Sequence, residues 1–314
     1  MFKMYHTNME TNITEETKEF NRGNWINMVS PSDEEIKTVC ENINIQEDFI
    51  RYALDAEEKA RIDVEDDDNT ILFIIDTPVI EIESGAKVYS TAPIGIIFVR
   101  DDYIITVSLN KNPILEDMVK KKLKGIITYK KSRMLLQLFY SNSELFLDLL
   151  KKINKETEIA ENVLKNSMKN KELLKLLSLE KGLVYFTTSL KSNEVVMERT
   201  MRGNLIKLYD EDEDILEDAI IENKQAIEMA KIYRDILTGT MDAYASIISN
   251  NLNGVMKYLT SITIILAIPT MIASYWGMNV PVPLQNNPFG FIAIVVASIL
   301  IGVIASLWLN KKGK

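Results

Sequence analysis

The sequence predicts an α+β membrane protein, with an N-terminal α/β domain and a long stalk helix that continues into the first of two C-terminal transmembrane helices. Three observations carry that expectation. The 53 residues between Lys257 and Lys311 contain no Asp, Glu, Lys or Arg, in a chain that is 26% charged. From Trp25 to Ser108, short runs of β-branched and aromatic residues alternate with helical stretches. Between Pro113 and Pro269 there is no proline, and apolar residues recur there at helical spacing. The expected divisions are a cytoplasmic α/β domain over 1–125, a helical region with the stalk over 126–254, a first transmembrane helix over 255–276, an external loop over 277–288, a second transmembrane helix over 289–310 and a basic cytoplasmic tail over 311–314.

Taken in order, Met1 to Asn24 is polar and lacks the apolar run of a cleavable signal, so the first span is expected to serve as the insertion signal. Strands are expected at Trp25–Val29, Ile71–Ile75, Ile94–Val99 and Tyr103–Val107, the last two joined as a hairpin through Arg100, Asp101 and Asp102. Ser32-Asp33-Glu34-Glu35 has the form of a capping box, because a Ser at the cap and a Glu three residues later can satisfy each other's backbone N–H groups. A second helix is expected over Ile45–Arg61. Together these make an α/β sandwich.

Downstream, Leu135, Leu136, Phe139, Leu145, Phe146, Leu149 and Leu150 form a helical stripe, with Gly125, Gly182 and Gly203 as the expected breaks. From about Asp212 no strong breaker occurs before Pro269, so one helix should run from the stalk into the membrane. At 1.5 Å per residue it would be about 90 Å long.

The charge-free window splits into apolar runs at Val255–Tyr275 and Phe289–Leu309, each close to the ~20 helical residues that cross a bilayer core. Between them, Pro281 and Pro283 oppose helix continuation, and Gly277 offers backbone angles closed to other residues. Lys257 precedes the first run, Lys311, Lys312 and Lys314 follow the second, and the loop has no positive charge. That asymmetry puts the loop outside and both termini in the cytoplasm of a multi-pass plasma-membrane protein.

Composition narrows the chemistry. A net charge of −9 argues against a nucleic-acid partner. The single cysteine, Cys40, precludes an intrachain disulfide, and the single histidine, His6, leaves any metal site to oxygen ligands, which favours Mg²⁺ and then Ca²⁺ or Mn²⁺. No phosphate-binding loop and no nucleophile–base pair is visible, which points away from a nucleotide partner and from an enzyme.

At a spacing of three or four, Asp242, Ser246, Ser249, Asn253, Met256, Thr260, Thr263, Ala267, Thr270 and Ser274 fall on one stripe of the long helix, all small or polar except Met256. Ser and Thr in spanning helices also bond their own backbone, and small residues let helices pack, so the stripe is open to a purely structural account. A stripe that starts with a carboxylate and ends at the external loop favours a water-filled path. Two helices cannot enclose a pore, so a conduit would need several copies in a ring.

Gly277-Met278-Asn279, placed after one span and before a second with a lysine-rich end, resembles the signature of the CorA family of magnesium channels. The resemblance covers the whole chain. It implies a homopentamer whose first spans line the pore, with Gly277, Met278 and Asn279 at the external mouth, Asn253 as a polar ring, and Met256 with Leu259 as an apolar constriction. Five Asn carbonyls suit an ion that keeps its water shell, although Asn279 could instead cap the turn. Two features depart from the family pattern: Trp276 stands where many members have Tyr, and the loop from Val280 to Pro288 has no acidic residue.

Acid gathers instead on the stalk, where Asp210 to Asp242 holds eleven Asp or Glu against three Lys or Arg. A solvated face is the ordinary account of such a run. The family resemblance implies a regulatory Mg²⁺ site between Asp218 and Asp48 of a neighbouring subunit, assisted by Glu47, Glu217 and the Glu65–Asp68 run. The expected function is passive uptake of Mg²⁺, with Co²⁺ or Ni²⁺ as further cargo, gated by cytoplasmic Mg²⁺ at these interfaces. A Zn²⁺ or other divalent transporter of the same build and a non-conducting membrane scaffold are the alternatives.

Overall fold

The computed structural model describes residues 2–312 except 66–68, 84, 101, 121–125, 168–169, 204 and 284–286. The chain falls into two compact units, residues 1–239 and 240–314.

In the first unit, β1 (Phe2–Thr7), β2 (Thr14–Thr17), β3 (Trp25–Val29), β4 (Arg61–Glu65), β5 (Thr70–Glu83), β6 (Ala86–Val99) and β7 (Tyr103–Ser108) form one sheet in the order β2-β1-β3-β7-β6-β5-β4. Only β3 and β7 pair in parallel, Trp25 opposite Ile104 and Val29 opposite Ser108. Both faces are covered, so the central strands are apolar in near-continuous runs. Successive residues still part to opposite cores. Ile26, Met28, Leu72, Ile74, Ile97, Ile105 and Val107 pack under α1 (Asp33–Ile43) and α2 (Glu47–Tyr52). On the other face Trp25, Phe73, Ile75, Ile96, Phe98 and Ile104 meet α3 (Pro113–Lys120), α4 (Lys131–Ser167) and residues of α5 (Asn170–Arg202) and α6 (Asp210–Trp276). This is the expected α/β sandwich.

The capping box on α1 is present: Ser32 Oγ accepts from Glu35 N at 3.3 Å and Glu35 Oε2 accepts from Ser32 N at 2.9 Å. At its other end Asn44 takes a left-handed φ of 55°, a conformation Asn tolerates better than most residues. The β6–β7 hairpin also forms as expected, with Val99 opposite Tyr103.

Other expectations need correction. The polar N-terminus contains β1 and β2, closed onto the domain by hydroxyls: Thr7 Oγ1 and Thr14 Oγ1 lie 2.7 Å apart, and Thr7 N donates to Thr128 Oγ1 at 3.1 Å. The helix expected over Ile45–Arg61 is only the six residues of α2, because turns follow Tyr52 and Arg61 already belongs to β4, which the sequence did not announce. β5 and β6 are 14 residues each, longer than their apolar centres, because they continue as a paired ribbon through Val79–Ser90. Gly203 does follow the end of α5. Gly182 breaks nothing and lies inside that helix, and Gly125 lies outside the described residues.

α6 is one helix of 67 residues from Asp210 to Trp276, with Pro269 inside it. Its first turn carries Asp210, Glu211, Asp212 and Glu213, where the helix dipole favours negative charge. Arg133 of α4 holds two of them, Asp212 at 2.9 Å and Glu211 at 2.6 Å.

The second unit comprises the end of α6 and α7 (Gly290–Lys312). Both helices are long and apolar enough to cross a membrane. Proline inside a spanning helix frees a carbonyl one turn back, which neighbouring groups can satisfy. In the turn that leads into α7, Asn287 Oδ1 accepts from Phe289 N at 3.0 Å and its carbonyl accepts from Gly290 N at 2.9 Å.

Candidate ion pathway and acidic sites

The seam residues all lie in the second unit, on the α6 helix. Asp242, Ser246, Ser249, Asn253, Thr260, Thr263, Ala267, Thr270 and Ser274 are exposed in the single chain, and so are Met256 and Leu259 at 53% and 56%. None is used up in a dry contact within its own chain. Three hydroxyls take the arrangement the sequence left open, donating to the carbonyl four residues back: Ser246 to Asp242 at 3.0 Å, Thr263 to Leu259 at 2.9 Å and Thr270 to Leu266 at 3.0 Å. Such a bond occupies the hydroxyl proton and leaves the oxygen able to accept from water. Local backbone bonding and a hydrated face are therefore compatible on this helix.

At the end of α6, Gly277 N donates to Ala273 O at 2.9 Å, which carries the helical bonding one residue past Trp276. Gly277 does not take the positive φ expected of it, and a Cβ there would meet nothing nearer than the Ala273 carbonyl oxygen at 3.5 Å. Its backbone freedom is therefore not what this single-chain geometry requires. Met278 and Asn279 are exposed, and the Asn279 amide makes no hydrogen bond to the described residues.

The acidic run divides by partner. Glu211 and Asp212 are held by Arg133, and Asp235 by Arg234 at 3.0 Å. Glu217 and Asp218 stay exposed with no ion pair to the described residues. Asp218 lines a cleft of about 620 Å³ together with Asp117 of α3 and Glu144 and Asp148 of α4. The concentration of negative charge shows on Tyr140 in the same cleft, whose phenol is held above its usual range by Glu144 first, then by burial and by Glu222 and Asp218. Nothing in the sequence announced this cleft, since its acids come from three helices separated by about a hundred residues. Among the described residues, no three His, Cys, Asp or Glu side chains form a metal-binding group within one chain.

Asp48 is exposed on α2, while its neighbour Glu47 is already paired with Arg51 at 2.8 Å. α2 packs on one face of the sheet and the Asp218 stretch of α6 on the other. One chain cannot bring the two carboxylates together through its own sheet. Of the Glu65–Asp68 run, Glu65 accepts from Gln46 Nε2 at 3.1 Å, and Asp66, Asp67 and Asp68 lie outside the described residues.

The two soft ligand types serve the fold. Cys40 is buried under the sheet, and burial pushes its thiol up to about 11. His6 Nδ1 is 2.8 Å from Asn24 Oδ1 in the β1–β3 region.

Comparison with known proteins follows the same outline. Residues 20–312 match the model of the family described as CorA-like Mg2+ transporter protein. The chain is 30% identical over 292 residues to the cobalt/magnesium transport protein CorA of Methanocaldococcus jannaschii, covering 89% of this chain and 88% of that one. It is 30% identical over 215 residues to the protein of the same name from Thermotoga maritima, covering 62% and 57%. The complete structure of the CorA magnesium transporter from M. jannaschii superposes with a TM-score of 0.81 at 27% identity, over 97% of this chain and 96% of that one.

Proposed function

The chain belongs to the family of CorA-like Mg2+ transporter proteins, and from that premise we propose that it forms a homopentameric channel for passive Mg²⁺ uptake, with Co²⁺ and Ni²⁺ as further cargo. The observation that carries the reading is the seam on α6: an unbroken stripe of exposed small and polar side chains through a charge-free span, leading to Gly277-Met278-Asn279. Polar groups at membrane depth are costly unless they face water or one another. A ring of five α6 helices with this stripe inward gives them water.

In that ring Asn279 carbonyls accept from the hydration shell of the entering ion, while Gly277 and Met278 shape the mouth. Asn253 and the hydroxyls of Thr260, Thr263 and Thr270 offer further oxygens, and Met256 with Leu259 forms an apolar constriction that closes by excluding water. Mg²⁺ loses its inner waters reluctantly, so neutral oxygen acceptors that bind it through water suit it better than a dehydrating cage. Flux needs no nucleotide. An inside-negative potential favours entry by roughly 2.3 kcal/mol per charge per 100 mV, and by twice that for a divalent ion.

Orientation follows the lysines, with both termini in the cytoplasm of the plasma membrane and the loop outside. Regulation follows the acids. At high cytoplasmic Mg²⁺ the ion bridges Asp218 of one subunit and Asp48 of the next, with Glu217 and Glu47 assisting, and holds the constriction shut. At low Mg²⁺ the carboxylates repel and the stalks part. A ligand shifts such an equilibrium only through different affinities for its two states, and the close carboxylate pair exists only in the closed one.

Flux measured on the full chain in liposomes, with Mg²⁺, Co²⁺, Ni²⁺ and Zn²⁺ in turn under an inside-negative potential, tests the reading. Mg²⁺ entry without nucleotide is the expected result. A sealed liposome that admits none of the four ions would leave a membrane scaffold, and Zn²⁺ flux without Mg²⁺ flux would leave the zinc transporter.

A further inference from the structure

We infer that the first unit binds a small anion with an apolar body, a carboxylate or phosphate ester, in a cleft at the carboxyl ends of β3 and β7. These two strands are the parallel pair at the middle of the sheet. After β3 the chain turns to α1 on one face, and after β7 it turns to α3 on the other. Where successive connections leave to opposite faces, a crevice opens beyond the strand ends, the place where open α/β sheets take their ligands. Here a cleft of about 570 Å³, within the range of small-molecule sites, opens on the α3 side of those ends, lined from β1, β3, the turn after β7 and α3.

Its lining supplies donors without partners. Tyr5 is 2% exposed, lines the cleft, and its hydroxyl has no hydrogen-bond partner among the described residues, an arrangement that costs free energy unless something completes it. The Oδ1 of Asn27 accepts from Thr106 Oγ1 at 3.1 Å, which leaves its NH₂ group to donate elsewhere. Lys111 makes no ion pair to the described residues, whereas Lys3 is shared with Glu16 at 2.8 Å.

These groups fix the ligand class. Phenol, amide NH₂ and ammonium donors call for an oxyanion. Leu115 and Val119 on α3 call for an apolar body beside it. Among the described residues of the lining Glu116 is the only carboxylate, beside Lys3 and Lys111. The start of α3 is not the binding element, because Asn112 Oδ1 already accepts from Ile114 N and Leu115 N.

Calorimetric titration of the full chain in detergent with phenyl phosphate, benzoate and inorganic phosphate tests the assignment. The expected result is saturable binding of phenyl phosphate or benzoate at one site per chain, the ratio of the two identifying the head group. Lys111→Ala should weaken it about tenfold, as loss of a charge-assisted bond does, and Tyr5→Phe several-fold. Tyr5→Phe keeps the buried ring and removes only the unpartnered hydroxyl, so its ligand-free melting temperature should hold or rise. Absence of saturable binding by both aromatic probes overturns the inference. So does binding that both substitutions leave unchanged, or inorganic phosphate binding as tightly as phenyl phosphate.

Discussion

Gly182 of α5 lies so close to Tyr89 of β6 that a Cβ on the glycine would stand 2.7 Å from the tyrosine Cβ and 3.1 Å from its carbonyl oxygen. Tyr89 cannot yield, because its ring meets Phe186 edge-on at 6.2 Å and its hydroxyl donates to Glu156 of α4 at 3.2 Å. The glycine therefore sets how closely α5 approaches the sheet. Gly182→Ala should lower the melting temperature of the full chain, costing about 1–3 kcal/mol for the displaced packing, although alanine alone would favour the helix by ~1 kcal/mol. A higher melting temperature would mean that α5 is free to shift outward.

Asp76 of β5 gives a pH signature. Its carboxyl is mostly buried between the sheet and the helices, and burial raises its pKa above 3.8, partly offset by the Ser189 hydroxyl. A carboxyl whose folded pKa is raised contributes stability that is fully present below the unfolded pKa and lost as pH rises through the folded one. Asp76→Asn should then match the parent in acid, below about pH 4, and exceed it in melting temperature at neutral pH. The backbone contacts at this position survive the change, since Asn142 and Asn193 donate to the Asp76 carbonyl at 2.9 and 2.7 Å. Parallel melting curves across that pH range would refute the assignment.

What was legible in the sequence depended on the range of the interaction. The β3 and β7 strands, the Ser32 capping box and the continuity of α6 rest on local pattern, and each was visible in it. β1 and β2 were not, because Thr7 is satisfied by Thr128, 121 residues away, and Thr14 donates to the carbonyl of Ile126, 112 residues away. A glycine inside a helical pattern is ambiguous for the same reason. Gly203 ends a helix and Gly182 admits a neighbour, and only the neighbour distinguishes them. In the candidate sites the charge-free spans, the seam and the loop signature are contiguous features that a sequence displays. The acidic run is not so simple, since Arg133 removes Glu211 and Asp212 from it, and the separation of Asp48 and Asp218 by the sheet depends on how the chain crosses itself.

Asn279 is exposed and its amide makes no bond to the described residues, so replacing it should not disturb the fold of its own chain. Asn279→Ala is expected to abolish Mg²⁺ uptake while the protein remains assembled in the membrane. Uptake by Mg²⁺-starved cells, with the membrane fraction quantified in parallel, measures both. Normal uptake would remove this amide from the mechanism.

The sheet stands between Asp48 and Asp218, so an ion that both carboxylates hold must be held by two chains. Because a bridge fails when either end is lost, Asp48→Lys and Asp218→Lys should each impair inhibition by internal Mg²⁺, and the double variant should add little to either, the non-additivity expected of partners in one contact. Loss of a bridging contact on the order of 1.4 kcal/mol raises the internal Mg²⁺ needed for half-inhibition about tenfold. Flux into liposomes preloaded with graded Mg²⁺ reads this directly. Effects that simply add would place the two residues in separate sites, and inhibition identical to the parent's in the double variant would exclude the bridge.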